Sequence, residues 1–219
     1  MPDIDAIPQP QRAERIQVIA AIGQLPSGAW IAADADNTLW AGDVGDEVVR
    51  AAATPPHHPW QPGEASLAHY FSLMDRSYAD GCRFSAQLLA GVDPEAARIR
   101  LIEAFNTRIA PRQWLITALQ DAMARGVRLL VISASPAPAV QLGIELAGLQ
   151  GADVIGLECA LTPEPQFVEP IPVGFGKPAA LIARGLPQPD LALGDSRWDL
   201  PLLQHARAGF WLVPASDEP

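Results

Sequence analysis

Two aspartates stand one residue apart in AWIAADADNT, residues 29–38, at the end of an apolar run, and another acid closes DLALGD at Asp195. If both runs are buried strands, Asp34, Asp36 and Asp195 meet as like charges. A protein tolerates that only when a cation neutralises them or one of them keeps a proton. An all-oxygen ligand set selects a hard cation, and one that keeps waters and phosphate oxygens among its ligands is typically Mg²⁺. Beside such an ion, Asp34 is placed to attack phosphorus as a carboxylate nucleophile and form an aspartyl phosphate. Ser133, closing VRLLVIS, and Lys177, in GFGKP, are placed to hold phosphoryl oxygens, one by a hydroxyl and the other by a point charge. Asp36, kept protonated by its anionic neighbours, would give its proton to a leaving alcohol and then take one from water.

These residues need strands to bring them together. AWIAA, VRLLVI, ADVIGLE, DLALG and GFWLV are short, continuous apolar runs that each stop at turn residues, the pattern of strands covered on both faces of a parallel sheet. Helical spacing lies between them, over residues 111–125, which end at Gly126, over 136–149, over 177–184, and after Trp198. Alternation of this kind predicts an α/β, doubly wound, mainly parallel sheet. In that fold ligands sit beyond the carboxyl ends of the strands, where Asp34, Ser133 and Asp195 stand. Residues 42–110 break the alternation: they carry helical patterns over 43–53, 64–79 and 94–105 and no buried-looking strand. The expected division is a core of residues 1–41 and 111–219 with a helical insert over 42–110. A second proline-rich passage, LTPEPQFVEPIPVGFG, is expected to form an irregular excursion or short hairpin.

The 219 residues fit one sizeable core with an insert, and 49% hydrophobic against 18% charged residues suits a globular interior. A formal net charge of -10 makes nucleic acid and anionic membrane poor partners, so an anionic substrate must be captured by local groups. No apolar run approaches the roughly 18 residues of a membrane helix. The acidic, proline-broken amino terminus lacks the basic start and apolar stretch of a signal peptide, so a soluble cytoplasmic protein is expected. Cys82 and Cys159 read as small buried apolar residues rather than as a disulfide framework.

DADNT at residues 34–38, VIS at 131–133, GKP at 176–178 and GDSRWD at 194–199, in that order, resemble the four motifs of the haloacid dehalogenase superfamily. The resemblance covers the core from about Trp30 to Val213, and the insert is similar to the helical cap of its phosphoserine phosphatase-like branch. It implies Asp34 as nucleophile, Asp36 as acid/base, and Asp34, the Asp36 carbonyl and Asp195 as Mg²⁺ ligands. It also implies Asp199 as support for the metal shell and Thr38, Ser133 and Lys177 as the phosphate site. The expected substrate is a small soluble phosphate ester. An aspartate two places after the nucleophile belongs to the phosphatases, because an alkoxide leaving group needs a proton and a halide does not. In that branch an acidic residue just past the first motif meets the substrate ammonium; Asp43 is closer to its spacing than Glu47. Arg83 and Arg76 are candidates for a carboxylate-binding cap arginine.

Each signal has a plainer reading. A DxD pair or a GDS alone fits a solvated turn; it is their order, with a serine strand end and a lysine between them, that points to chemistry. The strand position favours Ser133 over Ser135. His57 and His58 in PPHHP read as solvated side chains. GFGKP lacks the Ser or Thr of a Walker loop, having Pro178 there. Trp40, Trp60, Tyr70, Phe71 and Tyr78 read as packing, although aromatics also enclose quaternary ammonium groups. Two other functions use some of the same residues: a phosphate-accepting receiver, and a serine esterase with Ser196 as nucleophile and His205 as its base.

Overall fold

The computed structural model describes residues 3–53, 67–90, 93–160 and 164–218. His57, His58 and Trp60 lie outside the described residues.

The chain opens with helix α1 (Arg15–Gly23), which runs into strand β1 (Trp30–Ala33) and the short strand β2 (Trp40–Ala41). Four helices follow: α2 (Val44–Ala53), α3 (Leu67–Arg76), α4 (Tyr78–Leu89) and α5 (Pro94–Arg108). β3 (Ala110–Pro111), α6 (Gln113–Ala124), β4 (Arg128–Pro136), α7 (Ala137–Leu146) and β5 (Asp153–Leu157) come next. The pair β6 (Cys159–Ala160) and β7 (Gln166–Phe167) leads to α8 (Gly176–Ala183), β8 (Leu191–Gly194), α9 (Leu200–His205) and β9 (Ala208–Trp211).

β1, β4, β5, β8 and β9 form a five-stranded sheet in the order β5-β4-β1-β8-β9, with every pairing parallel. The chain therefore winds away from β1 in both directions, and the carboxyl ends of β4, β1 and β8 lie side by side, where the winding reverses. This is the α/β fold expected, and it collects strand-end residues into one crevice. β4 accounts for much of the core: Leu129, Leu130, Val131 and Ile132 are all buried, each worth about 1.5–3 kcal/mol relative to an exposed side chain. The strand runs on past Ser133 to Pro136, with a register shift against β5 between Ile132 and Pro136. It thus carries Ser133 and Ser135 on the same face.

The helices α2 to α5 enter and leave through β2 and β3, which pair antiparallel with Trp40 opposite Pro111 and Ala41 opposite Ala110. Gly42, just beyond, has φ 103, and a Cβ there would lie 2.6 Å from Ile109 Cδ1; only glycine turns the chain at this crossing without displacing its return. The helical pattern over 64–79 is not one helix. Ser77 breaks it at φ -158, and its hydroxyl accepts the Asp80 amide, capping α4. α4 then presents Cys82, Ser85 and Ala86 to the interior. α5 starts on the Asp93 cap with Pro94 in its first turn. The insert does not hold a separate core: Val44, Val48, Tyr70, Leu101 and Phe105 join one apolar cluster with Ile31, Val131, Leu115 and Leu193 of the sheet and its flanking helices.

α1 has no counterpart among the helical patterns of the sequence. Its apolar residues surround the helix, with Val18 and Ile22 buried but Ile16 and Ile19 exposed, so no single stripe marks it. Within the proline-rich excursion, β7 pairs antiparallel with β6, which lies just before it. Cys82 is buried, whereas Cys159 is half-buried. Among the described residues no helix is long and apolar enough to cross a membrane.

Candidate active site

A cavity of about 70 Å³ opens at the carboxyl ends of β1, β4 and β8. Asp34 follows β1, Ser133 lies near the end of β4, Asp195 follows β8, and Lys177 reaches in from the first turn of α8. Asp36, Asn37, Asp43, Asp199, Tyr78 and Trp198 complete most of the wall.

The first turn after β1 is set by two backbone features. The Asp34 amide donates to the Leu193 carbonyl at 2.9 Å, tying the strand end to β8. Asn37 takes φ 55, a left-handed conformation that asparagine tolerates better than most residues. That turn directs the Asp36 side chain to one set of donors: Oδ1 accepts Val44 N at 2.8 Å and Trp40 Nε1 at 2.9 Å, and Oδ2 accepts the Ser135 hydroxyl at 2.6 Å and that of Ser133 at 3.4 Å. Burial raises Asp36 above the usual carboxylate range, and these hydrogen bonds oppose the rise. The rise comes from desolvation rather than from the anionic neighbours that the sequence suggested. Ser133 and Ser135 are not alternatives: both face Asp36, and the Ser135 amide donates to Ser133 Oγ at 3.0 Å.

Lys177 is 2% exposed and bonds two carboxylates, Asp34 Oδ1 at 2.5 Å and Asp199 Oδ1 at 2.6 Å. Burial opposes its charge, but Asp199 and Asp34 outweigh that and lift it above the ordinary lysine range. Asp199 Oδ2 accepts the Asp195 and Ser196 amides at 3.2 and 2.9 Å and the Ser196 hydroxyl at 2.8 Å. The contact is close enough that a Cβ on Gly194 would lie 2.4 Å from Asp199 Cβ.

Carboxylate oxygens of Asp34, Asp195 and Asp199 lie within 4.8 Å of one another, and all three residues are buried. Burial, then the charge of Asp199, pushes Asp195 up to about 7. The same two effects, in the same order, push Asp34 well above its ordinary value despite Lys177. Among the described lining residues Lys177 is the lone cationic side chain facing five aspartates. A hard divalent cation suits this all-oxygen, undercompensated set.

Thr38 is not where the motif suggested. It is fully buried, its hydroxyl donates to Asp195 Oδ1 at 2.8 Å, and it does not line the cavity. Its hydroxyl thus orients Asp195, a candidate metal ligand. Arg83 is likewise outside: it pairs with Asp80 and Glu169, each at 3.2 Å. Arg76 is exposed and donates to the Ser72 carbonyl of its own helix. Asp43 does line the cavity, and its Oδ1 accepts the Asp46 amide at 3.0 Å, capping the first turn of α2. Burial and then the Asp36 charge raise it well above the usual range. Glu47 is held away from the cavity by Arg50 and Arg108.

Some contributors gave no local sign in the sequence. Arg12, ahead of α1, donates through Nη1 to the Asp195 carbonyl at 2.5 Å and also to that of Leu212, while its guanidinium lies 3.6 Å over the Trp211 ring. Trp211 Nε1 donates to the same Asp195 carbonyl at 2.8 Å. Tyr78 of α4 stacks on Trp198 at 4.7 Å, which joins the insert to the core across the cavity.

Among solved structures, a haloacid dehalogenase family hydrolase from Salmonella enterica serovar Typhi is 20% identical with a TM-score of 0.59, over 84% of this chain and 62% of that one, so this chain spans less than two thirds of its length. A substrate-bound phosphoserine phosphatase is 15% identical with a TM-score of 0.54, over 84% of this chain and 86% of that one. Cytosolic 5'-nucleotidase IIIB bound to cytidine is 16% identical with a TM-score of 0.60, over 98% of this chain and 81% of that one. At these identities the likeness is one of fold. A comparison with curated proteins finds no match. The family model for haloacid dehalogenase-like hydrolases matches residues 31–204. That span runs from β1 into α9 and contains every strand-end residue of the cavity, and the chain belongs to this hydrolase family.

Proposed function

We propose that this hydrolase is a Mg²⁺-dependent phosphomonoesterase acting on a small phosphate ester through an aspartyl phosphate. The observation that carries the reading is the pairing of Asp34, held by Lys177 through one oxygen, with Asp36, a half-buried carboxyl two residues on that is raised toward its protonated form. A nucleophile and a proton donor thus face one cavity from a single turn.

With Oδ1 of Asp34 fixed by Lys177, its other oxygen attacks phosphorus and the bond to the leaving oxygen breaks. Asp36 gives its proton to that oxygen, and the alcohol departs. Asp36, now a carboxylate stabilised by Trp40, Val44 and Ser135, takes a proton from water as the water attacks the phosphoaspartate. The products are inorganic phosphate and the free Asp34 carboxylate. Ser133 and Lys177 hold the phosphoryl oxygens. Asp34, the Asp36 carbonyl and Asp195 would hold the cation, and Asp199, whose two oxygens accept from Lys177 and from the Asp195–Ser196 turn, would support that shell. When bound, the cation supplies positive charge to the phosphoryl oxygens and screens the nucleophile from them.

The insert over residues 42–110 serves as a cap in this reading. A cavity of about 70 Å³ closed by the Tyr78–Trp198 stack takes a phosphoryl group and little more. Asp43 and the aromatic pair suit a leaving group with an ammonium, so phosphoserine and phosphocholine are the first substrates to assay, with glycerol phosphate as the uncharged comparison. The esterase alternative gains no support: Ser196 Oγ bonds Asp199, and His205 is not among the residues lining the cavity. The test is phosphate release from para-nitrophenyl phosphate and a metabolite panel with Mg²⁺. Wild type is expected to be active, and both EDTA and Asp34→Asn to abolish release; activity surviving Asp34→Asn removes the assigned nucleophile.

A further inference from the structure

Arg112, the residue that opens α6, is 4% exposed. Its Nη2 donates to the carbonyls of Asn37 at 3.3 Å and Val213 at 2.5 Å. Its Nε and Nη1 have no hydrogen-bond partner among the described residues, although Glu218 Oε2 faces Nε at 3.5 Å. Leaving buried donors unmet is unfavourable, so this guanidinium has unused capacity for an anion. It borders a cavity of about 620 Å³, within the usual size of small-molecule sites. Trp114 forms one wall, its Nε1 donating to the Glu218 carboxylate at 3.1 and 3.3 Å. The Arg15 guanidinium carbon lies 5.5 Å from the centre of the Trp114 ring. The amino end of α6 has no side-chain cap, so its first amides add positive potential there. Ile19, Ala41, Ala110 and Pro111 give the remaining wall an apolar character.

We propose that this cavity is a second ligand site, for a small molecule that carries a carboxylate on a flat apolar body. The Glu218 carboxylate marks the place of the ligand carboxylate, between Arg112 and the Trp114 Nε1, and the flat body lies along the indole. Asp121 on the cavity wall opposes a dianionic phosphate and favours the single charge of a carboxylate. The site shares no lining residue with the catalytic cavity, and it does not depend on the phosphatase reading. Its wall includes β2 and β3, the two crossings into the helical insert, and Arg112 itself holds the Asn37 carbonyl of the catalytic turn. An occupant would therefore rest at the base of the insert.

Calorimetric titration of the full chain with cinnamate tests this, with cinnamyl alcohol as the uncharged control. Saturable binding of one cinnamate is expected, with the alcohol at least about 12-fold weaker, since loss of one charge-assisted hydrogen bond costs about 1.5 kcal/mol or more. Arg15→Gln is expected to weaken binding several-fold. Glu218→Gln, a half-exposed change that removes the internal competitor, is expected to tighten it. Asp34→Asn is expected to leave it unchanged. Absence of saturable binding in both wild type and Glu218→Gln overturns the proposal. So does equal binding of the alcohol, loss of binding in Asp34→Asn, or insensitivity to both Arg15→Gln and Glu218→Gln.

Discussion

The polar residues around the cavity divide by what their side chains touch. Lys177, Asp199, Thr38, Arg12 and Trp211 bond other groups of the site; Asp34 and Asp36 line the space where a substrate would sit. Thr38 separates these roles experimentally. Among the described residues its hydroxyl meets Asp195 in the site, so Thr38→Val is expected to raise the Mg²⁺ concentration for half-maximal activity about 5-fold, the effect of roughly 1 kcal/mol for one lost hydrogen bond. Inhibition by inorganic phosphate should hardly change. A weakened phosphate inhibition with unaltered Mg²⁺ dependence would return Thr38 to the phosphate site. The acids were legible in the sequence because a buried apolar run that ends in Asp-Ala-Asp needs a cation or a proton to balance its charge. The contact of Thr38 with Asp195 was not legible because the two lie 157 residues apart. The pairing of Ser133 with Ser135 was hidden because the strand outruns its apolar residues.

At the scale of elements, the sheet was readable and the helices less so. Continuous burial of β1, β4 and β8 leaves a direct signature in composition, whereas α1 buries a narrow face of a helix that is apolar all round. The break between α3 and α4 did have a local sign, the Ser-Tyr-Ala-Asp run at residues 77–80, whose serine caps the second helix. It places Tyr78 at the start of α4, where it reaches Trp198. An aromatic pair of this kind contributes about 0.5–1.5 kcal/mol. Tyr78→Ala is therefore expected to raise KM about 2- to 10-fold with a smaller change in kcat, as steady-state kinetics on the best substrate would show. An equal fall in kcat with constant KM would mean that Tyr78 serves the chemistry rather than closure.

For the whole molecule, the insert is the feature least legible in the sequence. Helical patterns placed it between β1 and the rest of the core, but they carried no sign that its apolar faces would merge with the central cluster. The cavity at the strand ends is bordered by Asp43 and Tyr78 of this insert, and burial governs its electrostatics. Asp195 is pushed up to about 7, and Asp34, Asp36 and Asp43 are raised, in every case by burial first. These carboxyls hold protons more tightly folded than unfolded. Between the ordinary carboxylate range and the raised values the folded chain carries the extra protons, so metal-free stability falls as pH rises. The thermal midpoint without metal is expected to be lower at about pH 8 than at about pH 5.5. Saturating Mg²⁺ should narrow that gap, a ligand at 100 times its Kd adding about 2.7 kcal/mol. A metal-free midpoint that climbs over this interval would contradict the account of the acidic cluster.

The most direct measurement is acid-quenched single turnover of Asp36→Asn with a phosphate ester and Mg²⁺, followed by mass mapping of the phosphorylated peptide. With para-nitrophenyl phosphate as the ester, whose leaving group departs without a proton, loss of Asp36 slows mainly the second step, where it is the base for water, and the covalent intermediate should accumulate. The account predicts one phosphoryl group on the peptide that contains Asp34. Phosphate found on Ser133 or Ser196, or product formed with no covalent phosphoenzyme at any time point, would contradict it.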